Sequence, residues 1–406
     1  MLHDPTRHEA LNASPWDEAA ARAEIERIVA TTVARFEAGG WWPIHPKDVD
    51  GDDPNEPPTS LYFGAIGTAW TVHYLQAAGA APGQTRFDAR FGELLERNRT
   101  WLAKVSTSDS TAAYLMGDTP VLMMAQEQAP NEERTKQLLA LIDGNLDHPA
   151  RELMWGSPGT MLAALFLYRR FGDERFADAF RRSAAQLRSQ LKWSEEHGCH
   201  YWDQDLYGSH YTFLDAVHGF AATAAVLIRG RDLLPAEEGA AWQDLIVNTI
   251  DKTALREDGL ANWPAYLVNP SSNPQKKLMQ FCHGSPGFVI CLADLPDPRL
   301  DELLLAAGEA TWIAGPLNKG SNLCHGTGGN GYAFLKLYDR TGDARWLERA
   351  RAFAMHGIRQ TANDEREYGQ LRYSLWTGDP GFAVYLWDCI CAKAAFPTLD
   401  VFYAAA

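Results

Sequence analysis

The stretch Gly156-Ser-Pro-Gly-Thr-Met-Leu-Ala-Ala-Leu-Phe-Leu-Tyr-Arg-Arg-Phe-Gly-Asp-Glu-Arg-Phe176 has a counterpart 170 residues further on. That counterpart is Gly326-Thr-Gly-Gly-Asn-Gly-Tyr-Ala-Phe-Leu-Lys-Leu-Tyr-Asp-Arg-Thr-Gly-Asp-Ala-Arg-Trp346. Both open on a glycine turn, continue through an apolar run of helical length, and close on Leu-Tyr-x-Arg-x-Gly-Asp-x-Arg-aromatic. A ten-position string repeated in register marks a repeat architecture. The leading turn alone recurs at Gly64, Gly117, Gly156, Gly219, Gly284, Gly326 and Gly378. Successive first glycines are 53, 39, 63, 65, 42 and 52 residues apart, which is room for two helices and their loops.

Each turn precedes an apolar run such as Tyr332 to Tyr338, and several units continue with an amphipathic helix, as at Trp346, Arg349, Ala350 and Phe353. The unit is therefore a helical hairpin. Seven of them, apolar helices inside and amphipathic ones outside, predict an all-α chain folded as an α/α toroid, a double ring of seven inner and seven outer helices. Alternating Val/Ile/Thr runs with hairpin turns are scarce, so strands should be few. Residues 15–38 read as a leading helix, and 43–59 as a Pro- and Asp-rich loop containing Asp48, Asp50, Asp52, Asp53 and Pro54. No linker separates domains, so 1–406 is expected to be one domain. It has a lead-in over 1–60, repeats over 61–397 and a tail over 398–406.

The chain has 406 residues, 46% of them hydrophobic and 22% charged, a composition that excludes collagen-like and disordered classes. Its formal charge of −15 repels phosphate backbones and anionic lipid, which argues against a nucleic-acid or membrane-surface partner. No apolar stretch approaches the ~20 residues of a spanning helix, and the first residues lack a signal-peptide pattern, so a cytoplasmic location is expected. Six cysteines are too sparse for a disulfide scaffold at this length and leave metal binding or catalysis open.

Two consecutive turns carry Cys-His before the glycine: Phe281-Cys-His-Gly284 and Leu323-Cys-His-Gly326. Since each pair holds the same place in its repeat, Cys282 and Cys324 are expected to be neighbours, and thiolate with imidazole is a zinc ligand set. The alternatives are side chains that merely pack beside glycine turns, and a closed Cys2His2 structural site. An open site with three protein ligands would leave a position for a substrate thiol. Glycine at the turns is expected from crowding near the axis and from positive φ, and the helix N-termini are expected to favour an anion.

These strings resemble the LanC-like family, the lanthionine cyclases and their glutathione-handling relatives. The match rests on Cys282-His-Gly-Ser-Pro-Gly287, on Leu323-Cys-His-Gly-Thr-Gly-Gly-Asn-Gly-Tyr-Ala-Phe-Leu335, on Ala216-Val-His-Gly219, on Ser374-Leu-Trp-Thr-Gly-Asp-Pro-Gly381 and on Ala395-Phe-Pro397, and spans about residues 60–397. The resemblance implies a double α-toroid, zinc (Zn2+) on Cys282, Cys324 and His325, and a catalytic histidine at His218. It also implies that Asp118 could orient a histidine or water, and that Lys319 lies near glutathione. Phe281 stands where many relatives have Trp, and His283 places the chain nearer the LanC-like proteins than the cyclases. No dehydratase or kinase portion is expected before the repeats. The implied reaction adds a thiol, glutathione in preference to a peptide cysteine, to dehydroalanine or dehydrobutyrine in a peptide or protein, forming a thioether. A cyclase acting on a precursor peptide and a non-catalytic glutathione sensor or scaffold are the alternatives. Carbohydrate-active α/α toroids need paired axial carboxylates, which the turns, Asp118 and Asp379 apart, scarcely provide.

Overall fold

The computed structural model describes residues 1–12, 14–49, 57–105 and 110–404. Asp50, Asp52, Asp53 and Pro54 of the lead-in loop lie outside the described residues. The described residues form fourteen α-helices: α1 (Glu18–Gly39), α2 (Ala65–Ala77), α3 (Phe91–Val105), α4 (Thr119–Gln128), α5 (Glu132–Gly144), α6 (Ser157–Phe171) and α7 (Glu174–Ser189), followed by α8 (Phe220–Arg229), α9 (Ala236–Thr253), α10 (Ser285–Leu292), α11 (Asp301–Ala314), α12 (Thr327–Thr341), α13 (Ala344–Tyr368) and α14 (Asp379–Cys391). The even-numbered helices are the apolar runs that follow the seven glycine turns. Ser157 to Leu167 of α6 and all of α10 are buried, so these helices are apolar around their circumference. The odd-numbered partners bury one stripe: in α7, Phe176, Ala177, Phe180, Ala184 and Leu187 face inward while the arginines face water.

Among the described residues, six three-residue strands make three antiparallel hairpins: β1 (Lys192–Ser194) with β2 (Cys199–Tyr201), β3 (Gln204–Leu206) with β4 (Ser209–Tyr211), and β5 (Leu255–Glu257) with β6 (Leu260–Asn262). Tyr207-Gly208 and Asp258-Gly259 turn the second and third hairpins with positive φ at both residues, as a type I′ turn requires.

The chain divides into two compact units. The first, Met1–Pro5 with Ser106–Ala314, holds the second to fifth hairpins (α4–α11) and all the strands. The second, Thr6–Val105 with Gly315–Ala406, holds α1–α3 and α12–α14. Among the described residues no helix follows α14. Its outer partner is α1, which packs along it from the other end of the sequence. The leading helix is thus the outer half of the seventh hairpin.

The turns show why glycine recurs. A Cβ on any of the seven first glycines would press on backbone of the preceding four to six residues. Only Gly284, at φ 107°, also needs the left-handed region. Gly64, Gly156, Gly219, Gly326 and Gly378 are extended, so crowding rather than positive φ selects glycine there. The helix starts differ from expectation in a second way. The first N–H groups of α2, α8 and α12 donate to loop carbonyls seven residues back, Ala65 to Pro58, Phe220 to Phe213 and Thr327 to Gly320. Those donors are spent on the turn itself and are not offered to an anion.

Candidate functional site

Counted back from each turn glycine, the fourth residue is Ser60, Ala113, Glu152, Asp215, Gln280, Asn322 or Ser374, polar in six of seven turns. Several of these side chains accept the backbone N–H groups of the turn. Glu152 takes Met154 N (2.8 Å) and Trp155 N (2.6 Å), Asp215 takes Val217 N (2.9 Å) and His218 N (2.7 Å), and Asn322 takes His325 N (3.0 Å). The residue just before the glycine, whose side chain the turn aims, is histidine in three consecutive repeats: His218, His283 and His325.

In the first unit two imidazoles meet two buried carboxylates. His218 Nδ1 lies 2.9 Å from Glu152 Oε2, and His283 Nδ1 lies 2.9 Å from Asp215 Oδ2, with both carboxylates fully buried. Burial disfavours a charged His218, but the Glu152 hydrogen bond and charge outweigh it and raise the ring above its ordinary value. Burial opposes charge on His283 as well, yet Asp215 and the Cys282 sulfur push it up to about 9. Burial alone would raise the Asp215 carboxyl, and the His283 charge and hydrogen bond hold it below the usual range instead. Phe213 lies 5.5 Å from the His218 ring and Tyr207 6.1 Å from it, the latter held by a 3.2 Å hydrogen bond from Trp155 Nε1 to its hydroxyl. Cys282 is partly exposed beside His283, with Gln280 Nε2 2.9 Å from its sulfur. Asp118 is buried at the N-cap of α4 and makes no capping bond through its side chain. The carboxylate at His218 is Glu152, a residue that sequence reasoning missed.

The second unit carries Cys324, His325 and Lys319. Tyr62 Oη is 2.7 Å from Cys324 Sγ, and the cysteine is buried. Burial, together with the charges of Arg372 and Lys319, pushes His325 down to about 3, which keeps the imidazole neutral. Lys319 is exposed, and its carbonyl accepts from Asn322 Nδ2 at 3.1 Å. Within each unit, some residues two before the glycine hydrogen-bond to their counterparts in the next repeat. Cys324 N donates to Trp376 O (2.8 Å) and Trp376 N to Tyr62 O (3.0 Å) here, and Leu115 N to Met154 O (3.3 Å) in the first unit. Cys282 holds that same place in its repeat. Among the described residues, neither unit by itself gathers three His, Cys, Asp or Glu side chains as a metal would need. The expected zinc ligands are divided, Cys282 in one unit and Cys324 and His325 in the other.

An all-α chain of seven helical hairpins, two of whose inner helices start from Cys-His-Gly, defines a narrow class of protein. Residues 55–401 match the family described as lanthionine synthetase C-like protein, and the chain belongs to that family. It is 27% identical over 334 residues to glutathione S-transferase LANCL1 of Danio rerio, an alignment covering 73% of this chain and 76% of that one. It is 32% identical over 263 residues to LanC-like protein GCL1 of Arabidopsis thaliana, covering 62% and 58%. Among solved structures it is similar to nisin cyclase, with a TM-score of 0.58 at 14% identity over 90% of this chain and 93% of that one. That likeness shows the shared fold, the α/α toroid expected from the repeats. Among the described residues no helix is long and apolar enough to cross a membrane.

Proposed function

We propose that this chain is a zinc-dependent enzyme that adds a thiol, glutathione in preference to a peptide cysteine, to dehydroalanine or dehydrobutyrine residues of a peptide or protein. The observation that carries the reading is the pairing of His218 Nδ1 with the buried Glu152 carboxylate, which fixes the ring and leaves Nε2 as the nitrogen that can deliver a proton. Cys282, Cys324 and His325 would hold the zinc. Two cysteines and a neutral imidazole fit that metal and leave one position open. Bound zinc supplies the thiolate form of a thiol that, free at pKa ~8.5, is mostly protonated at neutral pH.

The protein's own part is proton delivery and orientation. As the thiolate sulfur bonds to the β-carbon, the double-bond electrons move toward the α-carbon and carbonyl. His218 Nε2–H then protonates the α-carbon, and the proton released by the thiol balances the one delivered. Glutathione is favoured because the relative LANCL1 is named a glutathione S-transferase, and Lys319 is the candidate cation for a glutathione carboxylate. A cytoplasmic location, where thiols stay reduced, accords with this reading. The test is mass analysis after incubation with zinc, glutathione and a dehydroalanine peptide. A product heavier by one glutathione supports the reading, and an unchanged peptide with zinc bound favours a sensor or scaffold.

A further inference from the structure

Each cysteine sulfur of the proposed ligand set has a neutral hydrogen-bond donor within its own unit. Gln280 Nε2 stands 2.9 Å from Cys282 Sγ, and Tyr62 Oη stands 2.7 Å from Cys324 Sγ. Both donors are held in place. Gln280 is buried and exchanges 3.1 Å backbone bonds with His283 in both directions. Tyr62 packs its ring against Trp376 at 5.4 Å and Phe63 at 5.8 Å, while its carbonyl accepts from Trp376 N. The two donors come from different places in the repeat, four residues before Gly284 and two before Gly64, yet both reach a cysteine sulfur. One duplicated side chain does not explain that convergence.

A thiol sulfur is a weak acceptor, whereas a thiolate accepts strongly. A metal-bound cysteine is a thiolate. From the two contacts we infer that Gln280 and Tyr62 are outer-shell donors to zinc-bound sulfurs. They stabilise the charge on each sulfur, fix the direction of its lone pairs, and draw electron density away so that the metal stays electrophilic toward a substrate thiol. The inference rests on the zinc reading of the preceding subsection. It goes beyond that reading in assigning two residues that bind neither metal nor substrate.

Tyr62→Phe keeps the ring against Trp376 and removes the hydroxyl. Gln280→Met keeps the chain length and the backbone bonds to His283 and removes the amide. On the full chain, the dissociation constant for Zn2+ is measured by competition with a chromophoric chelator. The sulfur-to-metal charge-transfer band is then recorded with Co2+ in place of zinc. Each variant should weaken zinc binding about 10- to 100-fold, the usual cost of losing an outer-shell partner. Each should also move the cobalt band to lower energy, because a thiolate without its donor gives up electron density more readily. Unchanged affinity and band in both variants would overturn the inference while leaving the zinc reading intact. Weakened binding with no band shift would also overturn it, by assigning the residues to packing. A wild-type chain that binds neither ion overturns the zinc reading and this inference with it.

Discussion

His218 and His283 hold the same position in consecutive repeats, yet carboxylates of different turns secure them: Glu152, from the turn before, for one, and Asp215, from the His218 turn itself, for the other. Only His218 has an assigned chemical step. General acid catalysis contributes ~10²–10⁴-fold, so His218→Ala should keep its zinc and slow thioether formation by that order, and His283→Ala should cost less. Glu152→Gln keeps an acceptor for the turn N–H groups but loses the charge that raises His218. Its rate should fall between wild type and His218→Ala. Single-turnover kinetics on zinc-loaded variants decide the order. Loss of zinc in His218→Ala would make that residue a ligand instead. The histidines were legible in the sequence because they sit beside the glycines. Glu152 and Asp215 were less so, because a carboxylate four residues before a glycine looks like any turn residue until its partner is seen.

The glycine turns set the scale of an element. Gly381 opens the second turn of the GxxG pattern in α14, and a Cβ there would overlap the Leu375 carbonyl oxygen and crowd Leu323. Gly342, by contrast, ends α12 in the left-handed conformation at φ 69° with open space around it. Gly381→Ala must move backbone and should cost about 3 kcal/mol or more, whereas Gly342→Ala pays only a local conformational penalty of about 1 kcal/mol. Urea denaturation of the two variants measures the contrast, and equal losses would mean that crowding is not what selects glycine. At this scale the sequence reading succeeded where periodicity was strong: all seven inner helices begin within a residue or two of the named glycines. It could not show that α1 completes the seventh hairpin, because pairing between the two ends of a chain leaves no local pattern. Cys199, Cys291, Cys389 and Cys391 lie away from the turns. Replacing all four with Ser or Ala should leave zinc content unchanged by metal analysis, and a drop would mean that the ligand set is misassigned.

At the scale of the whole molecule, burying so many polar residues makes stability depend on pH in opposing ways. Asp388, fully buried in α14, accepts a 3.0 Å hydrogen bond from Tyr332, and burial pushes its carboxyl up to about 8. Asp379, at the start of the same helix, is pushed up to about 6 by burial. Both hold protons in the folded chain at pH values where an unfolded aspartate, near ~3.9, has lost them. The folded state therefore binds more protons between about pH 4 and pH 8, and this contribution to stability falls as pH rises through that window. His45, pushed down to about 4 chiefly by burial, acts the other way, since stability is lost as pH falls below ~6.5 and its unfolded counterpart becomes charged. The wild-type curve mixes these effects, and comparison with one variant separates them. Asp388→Asn keeps an oxygen for Tyr332 and removes the ionisation, so the variant should gain on the wild type steadily from pH 5 to pH 8 and level off above it. Unfolding free energies from urea titrations across that range measure the difference. A difference that is flat with pH would mean that Asp388 is ionised within the folded core, paired more closely with Tyr332 than burial alone allows.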